Sequence, residues 1–348
     1  MNGIDKNLQS FLKTHYEHPI IQVISKQISN EKNFLLLQRL SQLDRIKNDN
    51  PYDTVISAVL LNELGDINRN LAKINHLLNN GGKFIGKAET LENRRYTMIK
   101  SYGVLIYSVV KILEFIFKRT LPKLPVFRTI YRKLGIIKHH IMSKCEILGR
   151  LCYNGFEILE VMQTNRFLYF ITCKKGKPLN EPPYDGILIK VPKIGKNGRT
   201  IYCYKLRTMH AYAKYLHDYL LKTHGIDSEG KIIDDFRVTQ WGKFLRKTWL
   251  DELPQIINII KGDMTLVGFR PLSKEFLSLY PEKWRDERLK MKPGFIPIYY
   301  ADCPKTFEEI IASEQKYINL KRRYPFTADI YCVGKVIVNF LLRRARTG

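Results

Sequence analysis

The chain has 348 residues, 45% of them hydrophobic, with 58 Lys and Arg against 33 Asp and Glu for a net charge of +25. That length and apolar content argue against disorder and allow two domains of ordinary size. The charge directs attention to polyanionic partners: nucleic acid, anionic lipid or a phosphate-rich small molecule.

The N-terminus, "MNGIDKNLQSFLKTHYEH", lacks a charged head followed by an apolar run, so no export signal is expected. "DTVISAVLL" (53–61) reads as a buried strand, and "DINRNLAKINHLL" (66–78) as a helix with Ile67, Leu71, Ile74, Leu77 and Leu78 on one face. Asn79 to Gly82 stop that helix, and "KFIGKAET" is a further strand. "YGVLIYSVVKILEFIF" (102–117) is apolar but carries Lys111 and Glu114 and falls short of the roughly 20 clean residues of a membrane span. With the basic stretch that follows, it suits either a membrane interface or a buried helix with a solvated connector. "FEILEVM" and "FLYFITC" make a hairpin.

This strand, helix, "NNGGKFIG" and late hairpin resemble the second half of class I S-adenosylmethionine-dependent methyltransferases over roughly residues 50–175. Such enzymes need a glycine-rich turn after their first strand. Residues 1–50 contain only Gly3, so the expectation is a degenerate Rossmann-like scaffold without the glycine-rich loop. "KKGKPLNEPPYDG" (174–186) then reads as a linker. The six cysteines, at 145, 152, 173, 203, 303 and 332, form no CxxC pair and read as core thiols in a reducing compartment.

In the second half, "GKNGRTIYCYKLRTM" predicts a hairpin turning at Asn197-Gly198 that delivers Lys205 and Arg207 to one edge. "HAYAKYLHDYLLKTHG" carries His210 and His217, too few for a metal. Its stripe of Tyr212, Tyr215, Leu216, Tyr219 and Leu220 reads as core or an oligomer contact. A helix around Thr239–Lys247 is followed by a second from about Asp251 to Ile260, with Asp251 as N-cap, Pro254 in its first turn and Gly262 at its end. Adjacent acids at a helix start can simply complement the dipole. Here Arg207, Arg237, Arg246, Lys247 and Arg270 are expected to converge on Asp251 and Glu252, one carboxylate to attack phosphorus and the other to hold a divalent cation. That cationic fence is expected to lower the carboxylate pKa values and attract a diphosphate.

The blocks "KIGKNGRTIYCYKLRTM", "DDFRVTQWGKFLRKTWLDELPQIINIIKGDMTLVGFRP" and "KMKPG" resemble the bacterial sugar transferases, the monotopic polyprenol-phosphate phosphoglycosyl transferases, over about 187–342. The resemblance implies transfer of a phospho-sugar from a nucleoside diphosphate sugar, a UDP-sugar by expectation, to a polyprenol phosphate with Mg²⁺, through a covalent aspartyl-phosphosugar. By matching position it implies Asp251 as nucleophile and Glu252 as its partner and metal ligand. It also implies Lys205, Arg207, Arg237, Arg246, Arg270 and Lys292 as phosphate-binding groups, with Pro271 and Glu314 as further candidates. The chain departs from the family pattern in four places, one of them Glu314 of "SEQKYI", which stands where the family has Asp. "KPLNEPPYDGILIKVPKI" stands where the membrane anchor is usual, Phe269 replaces a proline, and "KPGFIPIYYADC" replaces the family's "RPGITGWAQV", with Lys292 in place of an arginine.

The expectation is therefore an α/β chain. A Rossmann-like domain at 1–175, with an apolar and basic segment at 101–140, leads through a linker at 176–186 to a mixed α+β sugar-transferase domain at 187–348 with a small β-hairpin and amphipathic helices. Membrane surface, nucleotide sugar and lipid phosphate are the expected partners, a homo-oligomer is allowed, and nucleic acid is not expected, because no recognised motif supports it. The implied location is the cytoplasmic face of a bacterial inner membrane, peripheral or monotopic. The last helix, from Asp329, either docks on the core or touches lipid with Arg343, Arg344 and Arg346. The alternative function is an altered family member that binds lipid-linked sugar or scaffolds glycan assembly.

Overall fold

The computed structural model describes residues 6–29, 31–46, 51–114, 142–181, 186–225 and 232–342. The chain is mixed α/β and gathers into two compact units, Met1–Tyr184 with His210–Arg237, and Asp185–Met209 with Val238–Gly348.

The first unit holds helices α1 (Lys6–His15) and α2 (His18–Gln27), strands β1 (Phe34–Leu37) and β2 (Tyr52–Leu60), helix α3 (Ile67–Leu77), strand β3 (Leu78–Ala88), helices α4 (Leu91–Glu114) and α5 (Lys144–Tyr153), and strands β4 (Phe156–Gln163) and β5 (Leu168–Lys174). Its sheet has the order β1-β2-β3-β5-β4. The strands β1, β2 and β3 run parallel, and β5 is antiparallel to both β3 and β4. The Asp66 carboxylate caps α3 by accepting from the Arg69 N–H, and the stripe of Leu71, Ile74 and Leu77 is buried. Asn79 to Gly82 lie within β3, which takes up the chain directly after α3, so the expected stop is a strand start.

Unforeseen from sequence, α1 and α2 bury Leu8, Phe11, Leu12, Ile20 and Ile24 against Ile56, Ile85, Tyr169 and Ile171, which share one sheet face. The apolar stretch from Tyr102 is broken at its start, because Gly103 leaves the helical region at φ 77. Residues 115–141, 182–185 and 343–348, which include most of the expected basic segment and the terminal arginines, lie outside the described residues. Among the described residues no helix is long and apolar enough to cross a membrane.

The expected single boundary near 176–186 is corrected by an excursion. Residues 210–237, with helix α6 (His217–His224), cluster with the first unit. The tyrosine stripe explains this placement. Tyr212 and Tyr215 set their rings 5.6 and 5.2 Å from Tyr153 on α5, and the Tyr212 hydroxyl accepts from Asn68 Nδ2 at 2.7 Å. The stripe is core, as one of its two sequence readings had it.

The second unit opens with the hairpin β6 (Leu188–Ile194) and β7 (Thr200–Leu206), turned by Asn197 and Gly198 in the left-handed region at φ 57 and 74. Helices α7 (Gln240–Lys247) and α8 (Ile256–Ile260) follow. Then come β8 (Thr265–Gly268), α9 (Lys274–Ser278), α10 (Glu282–Leu289), β9 (Gly294–Pro297), α11 (Tyr299–Asp302), α12 (Phe307–Arg323) and α13 (Thr327–Leu341). Strands β8 and β9 pair in parallel so closely that a Cβ on Gly294 would come within 2.0 Å of the Gly268 nitrogen. On α13 the buried face is Ala328, Cys332 and Val336, at helical spacing, whereas Ile330, Ile337 and Leu341 are exposed.

Candidate active site

The hairpin supplies cations from one face. In β6 and β7 the half-buried face carries Ile189, Val191 and Lys193 opposite Lys205, Cys203 and Ile201. Lys205 therefore points inward beside apolar residues, and Arg207, two residues on, anchors its own N–H on the Ile187 carbonyl at 2.7 Å. Lys193 was not singled out from sequence. It adds a third basic side chain to that surface, and burial, followed by the like charges of Lys205 and Arg270, pushes its ammonium pKa down. The alternation of "LIKVPKI", with Lys193 in phase with Ile189 and Val191, was the available signal.

Helix α7 is seated on the end of β7 by Thr208. The Thr208 carbonyl accepts from the N–H and the hydroxyl of Thr239, both at 3.0 Å, and Thr239 in turn caps α7. Contact is so close at Gly242 that a Cβ there would sit 2.0 Å from the Thr208 oxygen, so only glycine fits without a shift. Arg246, nearly two turns along α7, donates its Nε–H to the Thr208 hydroxyl at 3.0 Å.

The expected helix from about Asp251 to Ile260 forms only from Leu253, so Asp251 does not open it. Trp249 takes a left-handed conformation at φ 58, and the Asp251 carbonyl accepts from Leu206 N–H of β7 at 2.8 Å, so it is not available to start an intrahelical ladder. A single 3-10 turn, Leu253–Gln255, intervenes before α8. Asp251 and Glu252 thus sit in a tight turn, and Asp251 caps nothing. The left-handed Trp249 is a costly backbone state held by packing: its ring lies 4.7 Å from Tyr300 and 5.3 Å from Phe340.

Two amides complete the turn. Gln255, buried, donates to Glu252 Oε2 at 3.3 Å. Asn258, also buried, donates from Nδ2 to the Tyr202 carbonyl at 2.8 Å and accepts the Tyr204 N–H at 3.1 Å, stapling α8 to β7.

Electrostatically the two acids differ. Asp251 is only 9% exposed. Burial first, then the neighbouring Glu252 charge, pushes its carboxyl pKa above the usual range, with Lys205 and Arg246 opposing. The sequence expectation that cations would lower it is overturned, because desolvation outweighs them. Glu252 forms an ion pair with Lys205 Nζ at 2.7 Å and is electrostatically coupled to Arg270.

The second unit therefore brings Lys205, Arg246 and Arg270 to the acid pair. Arg270 leaves the end of β8, its guanidinium donating to the Tyr299 hydroxyl at 2.9 Å. The Arg270 carbonyl accepts from buried Arg288, which pairs with buried Glu314 and lies 4.9 Å over the Phe269 ring. Glu314 is thus a prop for Arg288, and burial raises its pKa while Arg288 opposes. Lys292 lies over the turn that ends α8: a Cβ on Gly262 would meet its ammonium at 3.8 Å. Pro271 directly follows Arg270 and has no N–H to donate.

Arg237 is not among these cations. It belongs to the first unit and is buried, with Nε and Nη2 donating to Asp235 at 2.8 and 2.7 Å and Nη1 3.3 Å from His217 Nδ1. The acid two residues before it takes up its bidentate geometry.

Among the described residues no group of three or more His, Cys, Asp or Glu side chains could hold a metal. A protein-only cage is therefore not offered, but Mg²⁺ commonly uses one or two carboxylates and takes its remaining oxygens from substrate phosphates and water. The adjacent acids fit that donor set.

The sequence model of the bacterial sugar transferase family matches residues 179–343. An uncharacterized sugar transferase of Haemophilus influenzae is 38% identical over 138 residues, covering 38% of this chain and 27% of that protein. The undecaprenyl-phosphate galactose phosphotransferase of Salmonella typhimurium is 38% identical over 112 residues, 31% of this chain and 23% of that protein. The exopolysaccharide production protein ExoY of Sinorhizobium fredii is 33% identical over 159 residues, 44% of this chain and 69% of that protein. The chain thus spans less than a third of the first two of these relatives and about two thirds of the third.

Proposed function

Because the chain belongs to the bacterial sugar transferase family, we propose that its second unit transfers a phospho-sugar from a nucleoside diphosphate sugar to a polyprenol phosphate. The observation that carries the reading is the buried Asp251 beside Glu252, met by Lys205, Arg246 and Arg270 from three different elements. Such a fence offsets the charge of a diphosphate that would otherwise repel the attacking carboxylate.

In the proposed reaction an Asp251 carboxylate oxygen attacks the sugar-bearing phosphorus of a UDP-sugar. The phosphoanhydride bond breaks, UMP leaves with the bonding pair, and an aspartyl-phosphosugar remains. A polyprenol phosphate oxygen then attacks the same phosphorus, restoring the Asp251 carboxylate and giving the lipid diphosphate sugar. Glu252, steered by Gln255 and Lys205, would hold Mg²⁺, which when bound supplies charge neutralisation to the diphosphate. Arg246 and Arg270 bind phosphate oxygens, and Asp251 must be ionised to attack.

Surfaces flanking the acids support a lipid acceptor. Trp241 is 70% exposed and Ile260 81% exposed, and Phe244, Leu253 and Ile256 are exposed with them on the elements before and after the turn. Lys243, Lys247 and Lys261 are interspersed, the mixture that suits contact with an anionic membrane surface. For the first unit, a sheet with three parallel strands and an inserted antiparallel one supports reading it as a Rossmann-like scaffold. No glycine occurs between β1 and Gly65, so the cofactor-binding turn of that fold is not built.

The test is UMP release from a panel of UDP-sugars by the detergent-purified chain with Mg²⁺ and undecaprenyl phosphate, beside Asp251→Asn. Metal-dependent release that disappears in the variant is expected; release that persists in Asp251→Asn would sink the covalent route.

A further inference from the structure

Arg270 and Tyr299 leave neighbouring strands at matched positions. In the β8–β9 ladder Gly268 pairs with Pro297, and Arg270 and Tyr299 each follow two residues later, so the parallel register sets their side chains next to one another. The Arg270 guanidinium donates to the Tyr299 hydroxyl at 2.9 Å and lies 5.8 Å from its ring centroid. Tyr299 opens the short helix α11, whose backbone is pinned twice. Ile298 N–H donates to the Gly268 carbonyl at 3.1 Å, and Asn339 of α13 donates to the carbonyls of Tyr300 and Ala301 at 3.0 and 2.8 Å. The Tyr299 ring is 4.2 Å from Tyr300, and Tyr300 in turn is 4.7 Å from Trp249, the left-handed residue two positions before Asp251.

We propose that Tyr299 is a positioning residue: its hydroxyl fixes the Arg270 guanidinium, and its stack through Tyr300 to Trp249 ties that arginine to the turn carrying Asp251 and Glu252. One continuous ring stack thus spans from the anion-binding arginine to the backbone of the acids. A long, rotamer-rich side chain such as Arg270 pays less entropy on binding phosphate when it is held beforehand. The sequence replaces the expected Thr-Gly-Trp stretch with Ile-Pro-Ile-Tyr-Tyr, and the tyrosine pair is what that replacement supplies to the site.

This inference rests on reading Arg270 as a diphosphate ligand, so its test reads binding apart from transfer. Inorganic pyrophosphate would be titrated calorimetrically into the purified full chain, wild type, Tyr299→Phe, Arg270→Ala and the double variant, at physiological salt. Tyr299→Phe keeps the ring stack and removes the hydroxyl, which accepts from Arg270 and also hydrogen-bonds Tyr300. The expected result is an affinity roughly tenfold weaker in Tyr299→Phe, the scale of one hydrogen bond to a charged group, with the double variant no weaker than Arg270→Ala alone. In UMP release the same variant raises KM for the donor with kcat nearly unchanged. Wild-type affinity in Tyr299→Phe, an equal loss on the Arg270→Ala background, or no pyrophosphate binding by wild type would each overturn the inference. Tyr299-dependent binding without any UMP release would instead overturn the transfer reading and leave the role of Tyr299 standing.

Discussion

The two compact units put buried polar groups to different uses. In the first, polar side chains close on one another. Asn93 Oδ1 accepts from the Thr90 hydroxyl at 2.7 Å and from Gln163 at 2.9 Å, while its amide donates to the Thr164 carbonyl at 2.7 Å. Asn62 bridges both the N–H and carbonyl of Glu89. Buried Lys87, pushed down in pKa first by burial and then by the Arg166 charge, donates to the His15 carbonyl. The second unit buries a carboxylate beside a like charge and spreads large apolar side chains over the flanking elements. Neither arrangement stabilises a fold, and groups retained at such a cost mark where chemistry is carried. The proposed transfer site lies in the unit that bears this cost.

The largest expected effect breaks this contrast if it fails. Asp251→Asn keeps the turn but removes the attacking charge, so UMP release should fall roughly a thousandfold or more, the scale for removing a nucleophile. Near-wild-type circular dichroism would accompany it. Next, Arg288→Met leaves Glu314 buried and unpaired and frees the Arg270 carbonyl. Breaking such a pair costs about 3–5 kcal/mol, and denaturant unfolding should show that loss together with reduced turnover. A smaller effect belongs to the first unit. Asn93→Ala opens the Thr90, Gln163 and Thr164 network and should cost about 1–3 kcal/mol of stability while kcat per folded molecule stays unchanged. Loss of kcat in that variant would mean that the first unit takes part in turnover.

How far these features were legible depended on the range of the interactions. Strand β2, helix α3, both hairpins and α7 were readable because periodicity, Asp66, Thr239 and Asn197-Gly198 act within a few residues of themselves. The acid pair was legible through the pattern "LDELPQ…N…KGDM", in which Gln255 steers Glu252 and Asn258 staples α8 to β7. Helices α1 and α2 escaped notice because their partners are distant: the Tyr16 hydroxyl finds the Ser57 carbonyl, and Tyr169 finds Glu17. Arg237 misled because its position beside Thr239 suggested the site, while Asp235 claimed it locally. The N-cap reading of Asp251 failed for a tertiary reason, the Leu206 N–H that takes its carbonyl, and the lowered pKa failed because burial is invisible in a run of charges.

The subtlest prediction uses that burial. A carboxyl whose pKa is higher folded than unfolded binds its proton more tightly in the native state, so the stability it contributes is complete below the ordinary carboxylate range and is lost as pH rises through the raised folded value. Asparagine titrates nowhere in this range. Asp251→Asn should therefore match wild type in melting temperature at acidic pH and exceed it at neutral pH, by roughly 1–3 °C in the transition of the second unit. Turnover of the wild type follows the opposite course, since attack needs the ionised form: the acid limb of its pH profile should lie above the usual aspartate range, and Lys205→Met, which removes an opposing charge, should move it higher. A variant less stable than wild type at neutral pH would show that the Asp251 charge holds the turn together, and the contrast between the two units would have to be redrawn.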